Sequence, residues 1–265
     1  MRLPDLLTRR EPSRTDDVEA QMLAAQTLAD TGDHAGALAI WNPLAQAGLA
    51  RAQNNIGVCF AHGLGVEADQ TLAFRWLQAA AAGGSALGQR NLATCYAEGR
   101  GIEQDFAAAT SWYRRAAEQG DAEAQDALSR LLFDGEYLPP DYAEARRWAE
   151  AAAAQGVASA QARLGMIHHN ALGVTRDQAL AAYWWQRAAR KGEPDAQAML
   201  GAAHHIGAAV ARDPVLALAW LIRAVRGGSE LAAPFVHPVR ATLAPEQIAE
   251  AERLAREPLG ADLAA

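Results

Sequence analysis

Lysine is nearly missing from this chain: of its 24 basic residues all but Lys191 are arginine, against 31 acidic ones, for a formal net charge of −7. That balance argues against a nucleic-acid partner, because nucleic-acid-binding domains normally carry a basic footprint. Cysteine is almost as scarce. Cys59 and Cys95 cannot build a disulfide framework, so a reducing, cytoplasmic setting is expected. Aromatic residues make up 6% of a chain that is 51% hydrophobic, and alanine is by far the commonest of the hydrophobic residues. Alanine is the best helix former, and β-branched residues, which favour strands, are few. Helices packed at close range are expected, not a sheet. Long apolar runs are missing too. The opening stretch MRLPDLLTRREPSRTDD lacks the apolar core of a signal peptide. Nowhere do about 18 apolar residues follow one another, as a membrane-spanning helix requires, so no membrane contact is expected.

What is present is repetition. Trp76, Trp112, Trp148, Trp184 and Trp220 recur at an interval of 36, as do Gln53, Gln89, Gln125, Gln161 and Gln197. Asp69, Asp105, Asp141, Asp177 and Asp213 keep the same interval, and so do Gly84, Gly120, Gly156, Gly192 and Gly228. Two alanine series, beginning at Ala73 and Ala80, run in phase with them. Self-similarity at such a period is the mark of a repeat architecture, here five copies over 49–228.

Each copy reads as two helices. Leu92 and Tyr96 stand four apart and share one face of a first helix. Asp105 stands where a carboxylate caps the free N–H groups of a second helix, and in the last copy Pro214 follows Asp213 at the favoured first helical position. Ala109, Trp112 and Ala116 form the packing stripe, and Gly120 provides a left-handed end. Gly99-Arg100-Gly101, in YAEGRGIEQD, has the look of a phosphate-cradling loop. No strand precedes it and no third glycine completes the fingerprint, so it is expected to be a bend that uses the positive φ open to glycine.

The run alanine-glutamine, leucine-glycine, aromatic, G-x-G-V, Asp, Ala, Trp-Tyr, Ala-Ala, Gly resembles the Sel-one-like repeat family, a relative of the tetratricopeptide repeats. The second copy carries it most fully, in Gln89, Leu92, Tyr96, Gly99, Gly101, Ile102, Asp105, Ala109, Trp112, Tyr113, Ala116, Ala117 and Gly120. The resemblance implies an all-α fold, a right-handed α/α superhelical solenoid of 36-residue helix-turn-helix repeats whose first helices line a concave face. It also implies an adaptor that holds other proteins; the residues themselves lead us to expect no enzyme, no cofactor and no metal. Around the repeats we expect a flexible segment over 1–17, a degenerate first helix pair over 18–48, and divergent capping helices and tail over 229–265. There Glu246, Glu250, Glu252 and Arg253 give the polar outer face that a solenoid end needs. Some secreted relatives carry a disulfide in each repeat, but Cys59 and Cys95 occupy one position in neighbouring copies and cannot pair within a unit.

Catalytic constellations are weak. The S-x-x-K of a β-lactam-binding hydrolase fails because Ala188 stands three residues before Lys191. Cys59 and His62 have the spacing of a nucleophile and base on one helix, yet Cys59 reads first as a small core residue. His168-His169 and His204-His205 are repeat-related; His169 and His205 are expected on the groove side, where they offer a second reading as a metal or pH sensor of a regulatory subunit. The leading expectation is a monomer that binds a protein or peptide. If Gln53, Ile56, Gly57 and Phe60 face neighbouring helices, the wheel turns Arg51, Asn54, His62, Arg90, Thr94, Glu98, Asp126, Arg130, Phe133, Met166, His169 and His205 toward the groove. That strip is charged in the first three copies and mostly apolar in the last two. It suits a peptide with a charged segment followed by a hydrophobic anchor.

Overall fold

The computed structural model describes residues 14–259; residues 1–13 of the expected N-terminal segment, and the tail 260–265, lie outside them. Every regular element among the described residues is an α-helix. The chain divides into two units, Met1–Asp121 and Ala122–Ala265. The first contains α1 (Arg14–Asp30), α2 (His34–Gln46), α3 (Ala50–His62), α4 (Gln70–Ala82), α5 (Ala86–Glu98) and α6 (Phe106–Glu118). The second contains α7 (Ala122–Asp134), α8 (Tyr142–Ala154), α9 (Ala158–Asn170), α10 (Gln178–Ala189), α11 (Pro194–Ile206) and α12 (Pro214–Arg226). It ends with α13 (Ala233–Arg240) and α14 (Pro245–Leu254). Within each unit, helix pairs stack one on the next as an α/α solenoid, the class expected from the repeat. Among the described residues no helix is long and apolar enough to cross a membrane.

Local chemistry sets the helix ends. Asp33, Asp69, Asp105, Asp141, Asp177 and Asp213 each accept a hydrogen bond from the third amide of the following helix at 2.9 Å, which satisfies an otherwise orphaned donor. Gly99 caps α5 in the left-handed conformation with φ 69°, its N–H donating to Cys95 O. It is the bend expected from the sequence. Ala171 and Ala209 adopt the same region with φ 59°, where an L-residue's Cβ crowds its own carbonyl. Ala171→Gly should therefore raise stability by about 0.5–1 kcal/mol, measured by urea denaturation; a loss of stability would show that this turn is not strained.

The glutamine series joins one pair to the next. Gln53 Nε2 donates to Ala45 O at 3.1 Å, Gln161 to Ala153 O at 3.2 Å and Gln197 to Ala189 O at 3.1 Å, each closing a carbonyl near the end of the preceding helix. Gln119 and Gln155 extend this by donating to the side chains of Gln89 and Gln125. Lys191 occupies the next register position and donates to Gly156 O instead, which leaves Gln161 Oε1 buried without a partner.

Packing between the two helices of a pair depends on a small residue in the first. Gly57, Ala93, Ser129, Gly165 and Gly201 share that register, and a Cβ on Gly201 would stand 2.9 Å from Leu221 Cγ. Ser129 uses the close approach to donate its hydroxyl to Ala145 O at 2.7 Å. The tryptophans are less uniform than their spacing. Trp148 and Trp220 are buried, whereas Trp76, Trp112 and Trp184 are half-buried. In the second and fourth repeats the neighbours Tyr113 and Trp185 take the core position. The Arg115 guanidinium covers the Trp112 ring at 4.5 Å, an amphipathic arrangement that shields a ring the core leaves open. Beyond α12, Val239 of α13 and Ala251 of α14 close the last core cluster, and Arg253 pairs with Glu250 and Glu257 on the outer face.

Candidate binding grooves

In the first unit the odd-numbered helices bring the sequence-predicted strip together, but not as an open row of charges. Arg51 pairs with Glu19 of α1 at 3.0 Å, and Arg90 with Asp121 at 3.3 Å. Asn54, expected on the open face, is only 2% exposed. Its Oδ1 accepts from Asn91 Nδ2 at 2.8 Å, and its own Nδ2 donates to Asn55. Thr94 shares a hydrogen bond with the Tyr113 hydroxyl at 2.9 Å. Glu98 is exposed beside Arg100, with which it pairs. A 660 Å³ cavity is lined by Arg51, Asn54 and Asn55 of α3 together with Leu23 of α1 and Leu87 of α5. Leu23 is 69% exposed, and the helical wheel of the repeats alone did not point to it, since α1 belongs to the degenerate copy. An adjoining cavity adds His34, His62 and Arg90.

The second unit holds the other half of the strip. A 280 Å³ cavity is lined by Arg130 and Phe133 of α7, by Ala162 and Met166 of α9, and by Met199 of α11. The Phe133 ring meets Tyr142 edge-on at 6.0 Å. Asp126 accepts from two of the lining residues, Ser159 and Arg163, at 2.7 Å. Glu193 and Asp195, which the sequence did not mark, also face it. Burial raises the Glu193 carboxyl above the usual carboxylate range, with its hydrogen bond to Ala196 N and the charge of Arg163 offsetting part of that. Trp185 and Met199 form a shared wall with a second cavity of 220 Å³, completed by His169, Ala202, Ile206 and Phe235. The His169 ring packs against Trp185 at 5.2 Å.

The histidine pairs separate by environment. His204 is buried, with Nδ1 bonded to Ala211 O at 3.0 Å. His205 is half-buried, with a buried Nδ1 that has no hydrogen-bond partner. Cys59 and Cys95 are both buried, and burial pushes both thiols up, Cys95 to about 11. A thiol so placed stays protonated near neutral pH and is a poor nucleophile. The two grooves thus combine hydrogen-bonding side chains, apolar side chains and ion pairs between neighbouring repeats.

A family model described as Sel1 repeat matches five successive segments, 50–85, 86–121, 122–157, 158–193 and 194–229. Among curated proteins none matches the chain. A crystal structure of a Sel1 repeat protein from Oxalobacter formigenes is 28% identical, covering 89% of this chain and 97% of its own, with a TM-score of 0.78. A sel1 repeat protein from Klebsiella pneumoniae subsp. pneumoniae is 20% identical over 76% of this chain and 97% of its own, with a TM-score of 0.46. Immunity protein Pa5087 from Pseudomonas aeruginosa is 17% identical over 84% of this chain and 86% of its own, also with a TM-score of 0.46.

Proposed function

The chain belongs to the Sel1 repeat family, whose members generally mediate protein–protein interaction, and from that membership we propose that it is a non-catalytic scaffold which holds a protein or peptide partner along its first helices. The observation that carries this reading is the groove of the second unit, where three successive first helices contribute to one 280 Å³ cavity. Methionine and aromatic walls of this kind adapt to a partner's side chains, and desolvated anchors at the centre of an interface provide most of its energy. The setting we assign is the cytoplasm, in keeping with two buried free thiols.

The test is affinity capture from extract of the native organism with three forms of the protein. Wild type and an Arg75→Glu control, on the exposed side of α4, should retain the same partner. A Met166→Asp, Met199→Asp double variant should lose it while keeping its helical circular dichroism. Retention by the double variant at the wild-type level would move the binding surface away from this groove.

A further inference from the structure

The two ends of the second unit's groove differ in a way that specifies an occupant. At one end, Arg163 is 9% exposed and neutralised by Asp126 at 2.7 Å. That leaves Arg130 facing Asp134, Glu193 and Asp195 around the cavity. The Asp195 carboxylate takes a hydrogen bond from the Ser229 hydroxyl at 2.6 Å, but a hydroxyl brings no charge. With Arg163 paired to Asp126, three carboxylates face one arginine, and an acidic excess in a cleft favours an incoming cation over an anion.

At the other end the lining turns apolar. The 220 Å³ cavity behind Trp185 and Met199 is flanked by Ile206 and Phe235, which are 69% and 42% exposed. Leu231, 44% exposed, lines the charged cavity next to it. Exposed large apolar side chains around a cavity that adjoins a carboxylate-lined one mark an interaction site rather than ordinary surface.

We propose that this groove takes a protein segment in which an arginine or lysine adjoins a large apolar side chain, the cation lying against Asp134 and Asp195 and the apolar group filling the cavity of Trp185, Met199, Ile206 and Phe235. The assignment rests on the partner-binding reading above and adds to it the sign of the charge. Of the strip's other arginines, Arg51 and Arg90 are paired with Glu19 and Asp121 of the chain itself.

Three fluorescein-labelled synthetic peptides of equal length test it by anisotropy with the purified full chain. The first carries two arginines beside a leucine-phenylalanine pair, the second has glutamates for the arginines, and the third has alanines for the apolar pair. The first should bind about ten-fold tighter than either of the others, and its affinity should fall with added salt. Asp134→Arg should remove the preference over the glutamate peptide, and Ile206→Asp the preference over the alanine peptide. Both replaced side chains are exposed, so folding is not at stake. Equal binding of the first two peptides, a preference for glutamate, or no binding by any peptide would overturn the assignment. If partner capture is still lost in the methionine double variant, the groove reading survives that failure. If the first peptide binds as expected while capture is unaffected, the groove reading alone falls.

Discussion

Trp220→Ala should lower stability by about 3–5 kcal/mol, and Trp112→Ala by clearly less, although the two residues stand in the same register of the repeat. Trp220 is 1% exposed and packs with Leu200, Ala188 and Trp185 in one cluster, with Met199 and Val210 at its margin. Removing the indole leaves a cavity lined by side chains of two successive helix pairs. In a stacked array each pair is stabilised chiefly by its neighbours, so the collapse needed to fill that space is resisted from both sides. Trp112 is half-buried and partly sheltered by the Arg115 guanidinium, so its truncation admits water at little further cost. Trp220→Phe refines the test. Trp220 Nε1 is buried without a hydrogen-bond partner, and phenylalanine removes that unsatisfied donor while retaining most of the ring contact. Its cost should be a minor fraction of the alanine cost. Guanidinium denaturation with a common slope for all variants measures the series; equal losses for Trp112→Ala and Trp220→Ala would refute the burial difference on which it rests.

The second large effect is expected at Gly101. Gly99 and Gly101 both have positive φ, 69° and 71°, so alanine at either carries the left-handed penalty of about 1–2 kcal/mol. They differ in room. A Cβ on Gly99 finds its nearest neighbours at 3.6 Å, whereas on Gly101 it would overlap the carbonyl group of Gln70 at the start of α4. Backbone cannot rotate aside as a side chain can, so overpacking adds about 1–3 kcal/mol. Gly101→Ala should therefore cost about 2–5 kcal/mol in total, and Gly99→Ala only the conformational part. Gly99→Val should exceed Gly99→Ala, because a β-branched residue tolerates positive φ worst. Coincident denaturation midpoints for Gly99→Ala and Gly101→Ala would show that the loop does not approach α4 this closely.

The features that could be read from the sequence are those set within a few residues or repeated along the chain. Asp105 caps α6 by accepting from the amide three residues ahead, Gly120 follows its end in the left-handed region, and the interval of 36 places every repeat pair. Arg130, Phe133 and Met166 meet around one cavity because they lie on corresponding faces of successive first helices. The contacts that escaped the sequence run between repeats. Arg90 finds Asp121 and Arg163 finds Asp126, partners more than thirty positions away that a wheel drawn on one helix does not contain. Trp185 was open to inference from the doubled aromatic Trp184-Trp185, which matches Trp112-Tyr113. Phe235 was not, because α13 departs from the repeat pattern.

Lys191 carries the only side-chain amine of the chain, and its Nζ holds the carbonyl of Gly156, one repeat back. Amine chemistry on the folded protein is therefore nearly single-site. An amine-reactive dye will report from the seam between two adjacent repeats, and a cross-linker directed at lysine will anchor there or at the N-terminus. A lysine-specific protease has one point at which to cut, just ahead of α11. A bound partner that tightens or opens that seam would announce itself through one labelled residue, with no engineered cysteine required.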